Sequence, residues 1–389
     1  MSPRFRILVV PKWYPWPERP VFGLFCREHA RALATVHDVA VLASLATPKP
    51  GFAVYRLTDE VEDGIRTLRV RYRRPRLRPL SMACQLVGML AALRRLRRDG
   101  FRPDVVHAHV YSAGLPALVL ARLSRAAFVV TEHYTGFQRG LITGSDRLTA
   151  RVAFERADLV APVSRELAGH LREIAPRARI EVHPNTVDTE VFAPAPHPDH
   201  GPPQRLLNVA ALAEKKGHRY LLEALGRLDG VRLDLVGDGE LRDELEARAR
   251  ELGVAVRFHG ELPKEHVARM MGEADLFVLP STHETFGAVL IEAMACGLPS
   301  VATRVGGVPE VLDDTAGELV EPRDPAALAA AIERVLARSF DAEALAREAR
   351  ERYGYDAFAA EWTAVYGELL ASRRGSTSSA TVRRNDPSR

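Results

Sequence analysis

Short apolar runs and longer amphipathic stretches alternate along almost the whole chain. The apolar runs are brief and bounded by Gly, Pro, Asp or Ser, the pattern of strands buried on both faces of a sheet. Ile7-Leu8-Val9-Val10, Val105-Val106-His107-Ala108-His109 and Leu159-Val160-Ala161 are examples. Further strands are predicted at 39–43, 126–131 and 180–183, with a β pair over 54–70 turning at Asp63-Gly64. Helical periodicity fills 24–35 and 80–96. The alternation then restarts, with strands at 206–211, 231–236, 256–259, 274–281 and 300–303 separated by helical stretches. This switching between strand and helix periods predicts an α/β fold with two doubly wound sheets.

At 389 residues the chain is long enough for two domains. The Pro-rich stretch 192–204 reads as a linker. It divides a first domain, 1–191, from a second, 205–352. A final amphipathic helix is expected at 353–371, and the Ser-, Thr- and Arg-rich tail 372–389 is expected to be disordered.

Composition narrows the setting. Hydrophobic residues make up 47% of the chain, enough for two cores. Apolar runs fall short of the roughly 18 residues a spanning helix needs, and the N-terminal run is too short for a signal peptide. Cys26, Cys84 and Cys296 are scattered, with neither metal-site nor disulfide spacing, which implies a reducing cytoplasm. Residues 1–200 carry 30 Lys+Arg against 19 Asp+Glu, net +11; the remainder carries 24 against 31, net −7. That asymmetry argues against a nucleic-acid coat and allows a one-sided basic face toward an anionic membrane. Arg69, Arg71, Arg73, Arg74, Arg76 and Arg78, followed by Arg94, Arg95, Arg97 and Arg98, are the candidate patch. The alternative is a solvated loop and a helix C-terminus favoured by the macrodipole.

The densest chemistry lies between His283 and Pro299. Glu284 stands where a buried strand meets a helix predicted over 285–296, the ligand crevice of an open α/β sheet. Glu292 follows about 2.2 turns further along that helix. Gly297-Leu298-Pro299 supplies its stop. The first-turn amides of Phe286, Gly287 and Ala288, beside Thr285, offer donors to an anion or a sugar hydroxyl. Gly287 permits close approach of a ligand to the backbone. One βα unit earlier, Lys216 places a point charge in a loop suited to a diphosphate. Gly237-x-Gly239 lacks the third glycine of a dinucleotide fingerprint, since Arg242 stands there.

Glu284-x7-Glu292, with Pro280-Ser281 before it and Glu292-Ala293-Met294-Ala295-Cys296-Gly297 and Gly306-Gly307-Val308-Pro309-Glu310 after it, resembles the signature of the retaining glycosyltransferases of the GT-B fold, family 4. The resemblance implies two Rossmann-like domains facing across a cleft, with the C-terminal helix crossing back to the first domain. It implies that Glu284 binds the donor sugar, Glu292 the ribose and Lys216 the diphosphate, with His133 reaching the sugar from the opposite wall. Glu284, His133 and Lys216 are therefore the expected catalytic group. Gly23 takes the place of the family's phosphate-approaching glycine, single here where many relatives have a pair. Ala211 occupies a place where relatives often have Arg. Pro184-Asn185-Thr186-Val187-Asp188 resembles the inter-domain corner, with Thr186 where Gly is common. Trp13 and Trp16, in the loop after the first strand, are the acceptor-side candidates; their alternative is packing.

The implied reaction moves a hexose-type sugar from a nucleotide sugar, UDP-linked in preference to GDP- or ADP-linked, to a lipid-linked or small hydroxyl acceptor. The sequence contains no Asp-x-Asp, and no metal or other cofactor is expected. The expected location is the cytoplasm, peripheral on the inner face of the plasma membrane. Competing expectations are an epimerase or phosphorylase of related architecture, and a non-catalytic glycan- or lipid-binding subunit.

Overall fold

The structure, a computed structural model, describes residues 3–48, 51, 53–196 and 201–382. The first domain runs β1 (Arg6–Pro11), α1 (Leu24–Ala34), β2 (Asp38–Thr47), β3 (Tyr55–Glu62), β4 (Ile65–Arg73), α2 (Arg78–Arg98), β5 (Val105–His109), α3 (Tyr111–Ser124), β6 (Ala127–Glu132), α4 (Gly144–Glu155), β7 (Leu159–Pro162) and α5 (Arg165–Ile174). The second runs β8 (Gln204–Val209), α6 (His218–Leu225), β9 (Val231–Val236), α7 (Arg242–Leu252), β10 (Val256–Gly260), α8 (Lys264–Glu273), β11 (Leu276–Leu279), α9 (Ala288–Ala295), β12 (Ser300–Thr303), α10 (Val308–Val311), β13 (Gly317–Val320), α11 (Pro325–Leu336) and α12 (Ala342–Tyr353). The chain closes with α13 (Tyr355–Val382).

Each domain has one sheet, ordered β3-β4-β2-β1-β5-β6-β7 and β10-β9-β8-β11-β12-β13. Pairing is parallel except for β3, which returns antiparallel on β4 through Asp63 and Gly64, both at positive φ. An Asp-Gly pair is what a tight hairpin of that geometry selects. The topology switches direction between β1 and β5, and again between β8 and β11. Crevices form outside the carboxyl ends of the strands at such points, and both fall at the cleft between the domains. The central strands are almost wholly apolar, and Ile7, Leu8, Val9, Leu206, Phe277 and Val278 lie at about zero exposure.

The end of the chain ties the domains together. Phe358, Trp362, Tyr366 and Leu369 of α13 pack with Ile7, Val9 and Leu33 of the first domain. Burying each large ring contributes roughly 3 kcal/mol. The corner at Pro184 to Asp188 is pinned where α12 gives way to α13: Thr186 Oγ1 donates to Tyr353 O at 2.7 Å and Val187 N at 2.9 Å. The hydroxyl of Thr186 thus has a structural use at this corner.

Several boundaries differ from the sequence expectation. The helix expected from residue 285 starts at Ala288, because Gly287 sits at φ +85° and a left-handed residue cannot continue a right-handed helix. The strand expected at 180–183 reduces to one bridge between Val160 and Ile180. The last helix runs past 371, through residues assigned to a disordered tail, to Val382. Residues 197–200 of the linker and 383–389 of the tail lie outside the described residues.

Candidate active site

The loop after β8 carries Lys215 and Lys216 on a single 3-10 turn closed by Gly217 at φ +68°. A Cβ on Gly217 would stand 2.0 Å from Pro280 O, so only glycine lets this loop lie against the end of β11. That approach brings Lys216 Nζ to donate to Glu284 Oε2. Glu284 Oε1 also accepts from Thr285 N at 3.2 Å. Burial pushes the Glu284 carboxyl up, but Lys216 and then Lys215 outweigh it and hold the group below the usual carboxylate range. Burial, with Lys216 alongside, lowers Lys215.

The Glu284 loop is supported from beneath by Gly306-Gly307. A Cβ on Gly306 would lie 1.6 Å from Glu284 O, and one on Gly307 2.4 Å from Thr285 O. With α9 starting at Ala288, its open first-turn donors are the amides of Gly287, Ala288 and Val289, and that of Phe286 lies before the cap. Phe286 is buried and its ring meets Tyr353 edge-on.

Two cavities lie along this wall. One, about 370 Å³, is lined by Lys215, Lys216, Glu284, Thr285 and Gly287 to Val289 on one side, and by Trp13, Phe25, His133, Tyr134 and Asn185 on the other. The second, about 270 Å³, is lined by Val21, Leu24, Val236, Glu261, Leu262, Lys264 and Glu292. Val209, Ala210 and Ala211 line both, so the two cavities form one trough crossing the end of β8. The small side chain of Ala211 sits on the wall common to both. Burial and repulsion from Glu28 raise the Glu292 carboxyl to about 8, against the pull of Lys264.

The opposite wall comes from the first domain. His133 follows β6 and lies in hydrogen-bond contact with His109, Nε2 to Nδ1, at 3.1 Å. The two rings stack at 13°. Burial, reinforced by neighbouring histidines, holds both well below the ordinary imidazole value, so both are neutral near pH 7. Trp13 meets Tyr134 and Phe25 edge-on and faces the larger cavity. His107 is committed to the core, bonded to Tyr366 Oη and Thr131 Oγ1 at 2.7 Å each.

Two residues proposed from the sequence lie elsewhere. Trp16 is buried at 3% exposure, with the guanidinium groups of Arg69 and Arg71 at 5.6 and 4.7 Å from its ring. It belongs to the packing beneath β4. Gly23 lies outside the lining of both cavities; it caps α1 at φ +74°, and a Cβ there would come 2.3 Å from Trp13 C. Its role in the fold is to let α1 start against the Trp13 loop.

Sequence reasoning missed the bonds that join the walls, and with them Lys215, Thr135, Gln138 and Lys264. Lys215 Nζ donates to Thr135 Oγ1 at 3.1 Å, Gln138 Nε2 to Glu284 O at 2.9 Å, and Thr285 Oγ1 to His133 O at 3.0 Å. Lys264 Nζ donates to Asp188 Oδ2 at 2.8 Å. The adjacent Lys215-Lys216 pair was the available signal. Glu132 was also missed: it accepts from the amides of Tyr111, His133 and Tyr134 and orders the His133 loop. Burial raises it to about 7 despite those bonds.

Two parallel-sheet α/β domains, a basic and carboxylate-bearing trough between them and a C-terminal helix crossing back define a GT-B glycosyltransferase. The chain belongs to the glycosyl transferases group 1 family: that family's model matches residues 193–352, and Glycosyltransferase Family 4 matches 23–191. It is 31% identical over 399 residues to glycogen synthase of Mycobacterium tuberculosis (strain CDC 1551 / Oshkosh), covering 95% of each chain. It is 31% identical to D-inositol 3-phosphate glycosyltransferase of Geodermatophilus obscurus, covering 75% of this chain and 74% of that one. Among solved structures, sucrose-phosphate synthase from Thermosynechococcus elongatus superposes with a TM-score of 0.75 at 23% identity, over 95% of this chain and all of that one. Anabaena HepE in complex with UDP-glucose superposes at 0.71 and 20% identity, over 95% of this chain and 100% of that one.

Proposed function

We propose that the protein is a retaining glycosyltransferase that moves a hexose-type sugar from a UDP-sugar to a hydroxyl acceptor in cell-surface polysaccharide or glycolipid synthesis. The observation that carries this reading is the Lys216–Glu284 pair at one end of a trough whose other end holds Glu292. A nucleoside diphosphate sugar is the ligand whose chemistry matches that order. The ribose donates its hydroxyls to Glu292, the diphosphate lies against Lys216, Lys215 and the α9 amides, and the sugar hydroxyls meet Glu284 and His133. The UDP-glucose bound by Anabaena HepE supports a uridine donor.

Catalysis then rests on charge. As the bond from the sugar to the diphosphate breaks, the leaving oxygen gains negative charge facing two lysines and oriented amides, which stabilise it without reorganising. The acceptor hydroxyl attacks from the same face and gives its proton to the departing phosphate, which retains configuration. Trp13 and Tyr134 form the apolar lip on the acceptor side. The four polar links between the walls hold the closed state and keep water from the donor.

Arg73, Arg74 and Arg76 are exposed next to exposed Leu77, Leu80 and Met82. Together they support a peripheral contact with an anionic membrane on the cytoplasmic side. Arg69 and Arg71 drop out of the expected patch, paired with Glu62 and Glu18, and Arg95 pairs with Asp59; the Arg78 side chain lies outside the described residues. Among the described residues no helix is long and apolar enough to cross a membrane. A small soluble acceptor is the second reading. It is favoured by the names of two relatives, the inositol phosphate enzyme and the 2-deoxystreptamine N-acetyl-D-glucosaminyltransferase of Streptomyces fradiae, 31% identical over 308 residues.

Thermal-shift binding of UDP, GDP and ADP with chelator present, followed by transfer from the matching sugars, tests the donor. A midpoint rise with UDP alone is expected. Binding of none of the three removes the proposal.

A further inference from the structure

The fold brings together three buried side chains that no sequence spacing joins. Cys26 comes from α1, His109 from the end of β5 and His133 from the loop after β6. Cys26 Sγ and one ring nitrogen from each histidine lie within 4.8 Å of one another. All three residues are buried, Cys26 and His109 at 0% exposure and His133 at 7%. His109 Nδ1 and His133 Nε2 stand 3.1 Å apart. Two imidazoles on one tetrahedral zinc ion, each about 2.0–2.1 Å from the metal, have nitrogens about 3.3 Å apart. The rings already hold nearly that spacing, in a stacked arrangement fixed by the β5 and β6 strand ends.

The two nitrogens that face each other share one hydrogen bond, so a metal there displaces its proton to an outer ring nitrogen, and those are open to take it. His109 Nε2 and His133 Nδ1 are buried with no hydrogen-bond partner. His29 packs edge-on against both, at 5.2 and 5.3 Å between ring centres, and its Nδ1 likewise has no partner. One thiolate and two imidazoles form a borderline-soft donor set, suited to zinc and not to magnesium or calcium, which take oxygen ligands. Access runs through the larger cavity, which His133 lines.

We propose that Cys26, His109 and His133 form a site for a zinc-class divalent ion, and that the ion inhibits sugar transfer by engaging His133. The inhibitory half rests on the reading of His133 as a sugar-facing residue given above; the binding half does not. Binding breaks the Cys26 S–H bond, forms a sulfur–metal bond and releases one proton to solvent; the proton shared by His109 Nδ1 and His133 Nε2 moves to the donor ring's other nitrogen, so both facing nitrogens become ligands with no change of oxidation state. Two histidines complete three protein ligands, and the fourth position falls to a water or a substrate oxygen.

Cobalt(II) added to the metal-free full-length protein is the probe. One ion per chain, with a thiolate-to-cobalt charge-transfer band and the visible bands of a four-coordinate ion, is the expected result. Cys26→Ser loses the charge-transfer band, while Cys84→Ser and Cys296→Ser keep it. X-ray absorption of the zinc-loaded wild type, which needs no variant to fold, shows one sulfur at about 2.3 Å and nitrogen neighbours at about 2.0–2.1 Å. No cobalt–thiolate band, a band that survives in Cys26→Ser, or a zinc shell without sulfur overturns the site. In the activity arm each protein is compared with its own zinc-free rate. Zinc lowers wild-type transfer at least tenfold and spares Cys26→Ser. A cobalt–thiolate band in a protein that zinc fails to inhibit keeps the site and overturns the inhibitory role.

Discussion

Replacing Glu292 by Gln should weaken nucleotide binding and make the protein more stable, by an amount that depends on pH in a defined way. Burial beside Glu28 raises the Glu292 carboxyl from the ordinary 4.5 to about 8. The folded state therefore keeps this proton up to about pH 8, whereas the unfolded chain loses it near 4.5. Folding stability falls as pH rises between those values and levels off above the upper one. At about 1.4 kcal/mol per pH unit the full span comes to roughly 5 kcal/mol. The carboxyl lines an open trough, so water reduces this to about 2–3 kcal/mol. Glutamine carries no charge and escapes the loss. The melting midpoint of Glu292→Gln should match the wild type near pH 4.5 and exceed it increasingly up to pH 8. In parallel, UDP affinity should fall at least tenfold, since the amide is a poorer acceptor for ribose hydroxyls. Melting curves from pH 4.5 to 9, with calorimetric titration of UDP at pH 8, measure both. A variant that is less stable at pH 8, or that binds UDP as the wild type does, refutes the reasoning.

The same carboxyl predicts that wild-type affinity for UDP climbs from pH 7 to about 8 and then levels, because the ionised form accepts the ribose; a flat profile contradicts this. Gly306→Ala should cut kcat/KM more than tenfold and lower the melting midpoint, since its Cβ would stand 1.6 Å from Glu284 O at a left-handed backbone position; steady-state kinetics on folded variant decide it. Neutralising Arg73, Arg74 and Arg76 to Gln should abolish salt-sensitive binding to anionic vesicles and leave UDP binding intact; co-sedimentation reads the outcome.

The two-sheet architecture was legible because parallel strands buried on both faces are apolar throughout and their helices are bounded by Gly and Pro. The Glu284 to Gly297 run was legible as chemistry because it sits where a strand ends. Features set by distant partners were not. The β pair over 54–70 was legible, but not which carboxylates its arginines would meet: Glu62, across the hairpin, pairs with Arg69, and Glu18 from a distant loop pairs with Arg71. Trp16 looked like a cleft aromatic by its loop, and is covered by guanidinium groups from β4. Gly287 read as the interior of a first turn, and its left-handed backbone moves the helix start by three residues, from 285 to 288. Cys26 and His109 are 83 positions apart and meet only because α1 packs over the end of β5.

The proposed joint action of Glu284 and Lys216 on the donor sugar and its diphosphate is the core of the mechanism. Its most direct test is turnover of the UDP-sugar identified by the binding panel, with chelator present, by wild type, Glu284→Gln and Lys216→Ala. Removing one such preorganised contact costs on the order of 100-fold in kcat, so each variant should lose about that much while its circular dichroism stays that of the wild type. Either variant turning over within about threefold of wild type, far from the loss expected of a transition-state contact, contradicts the account.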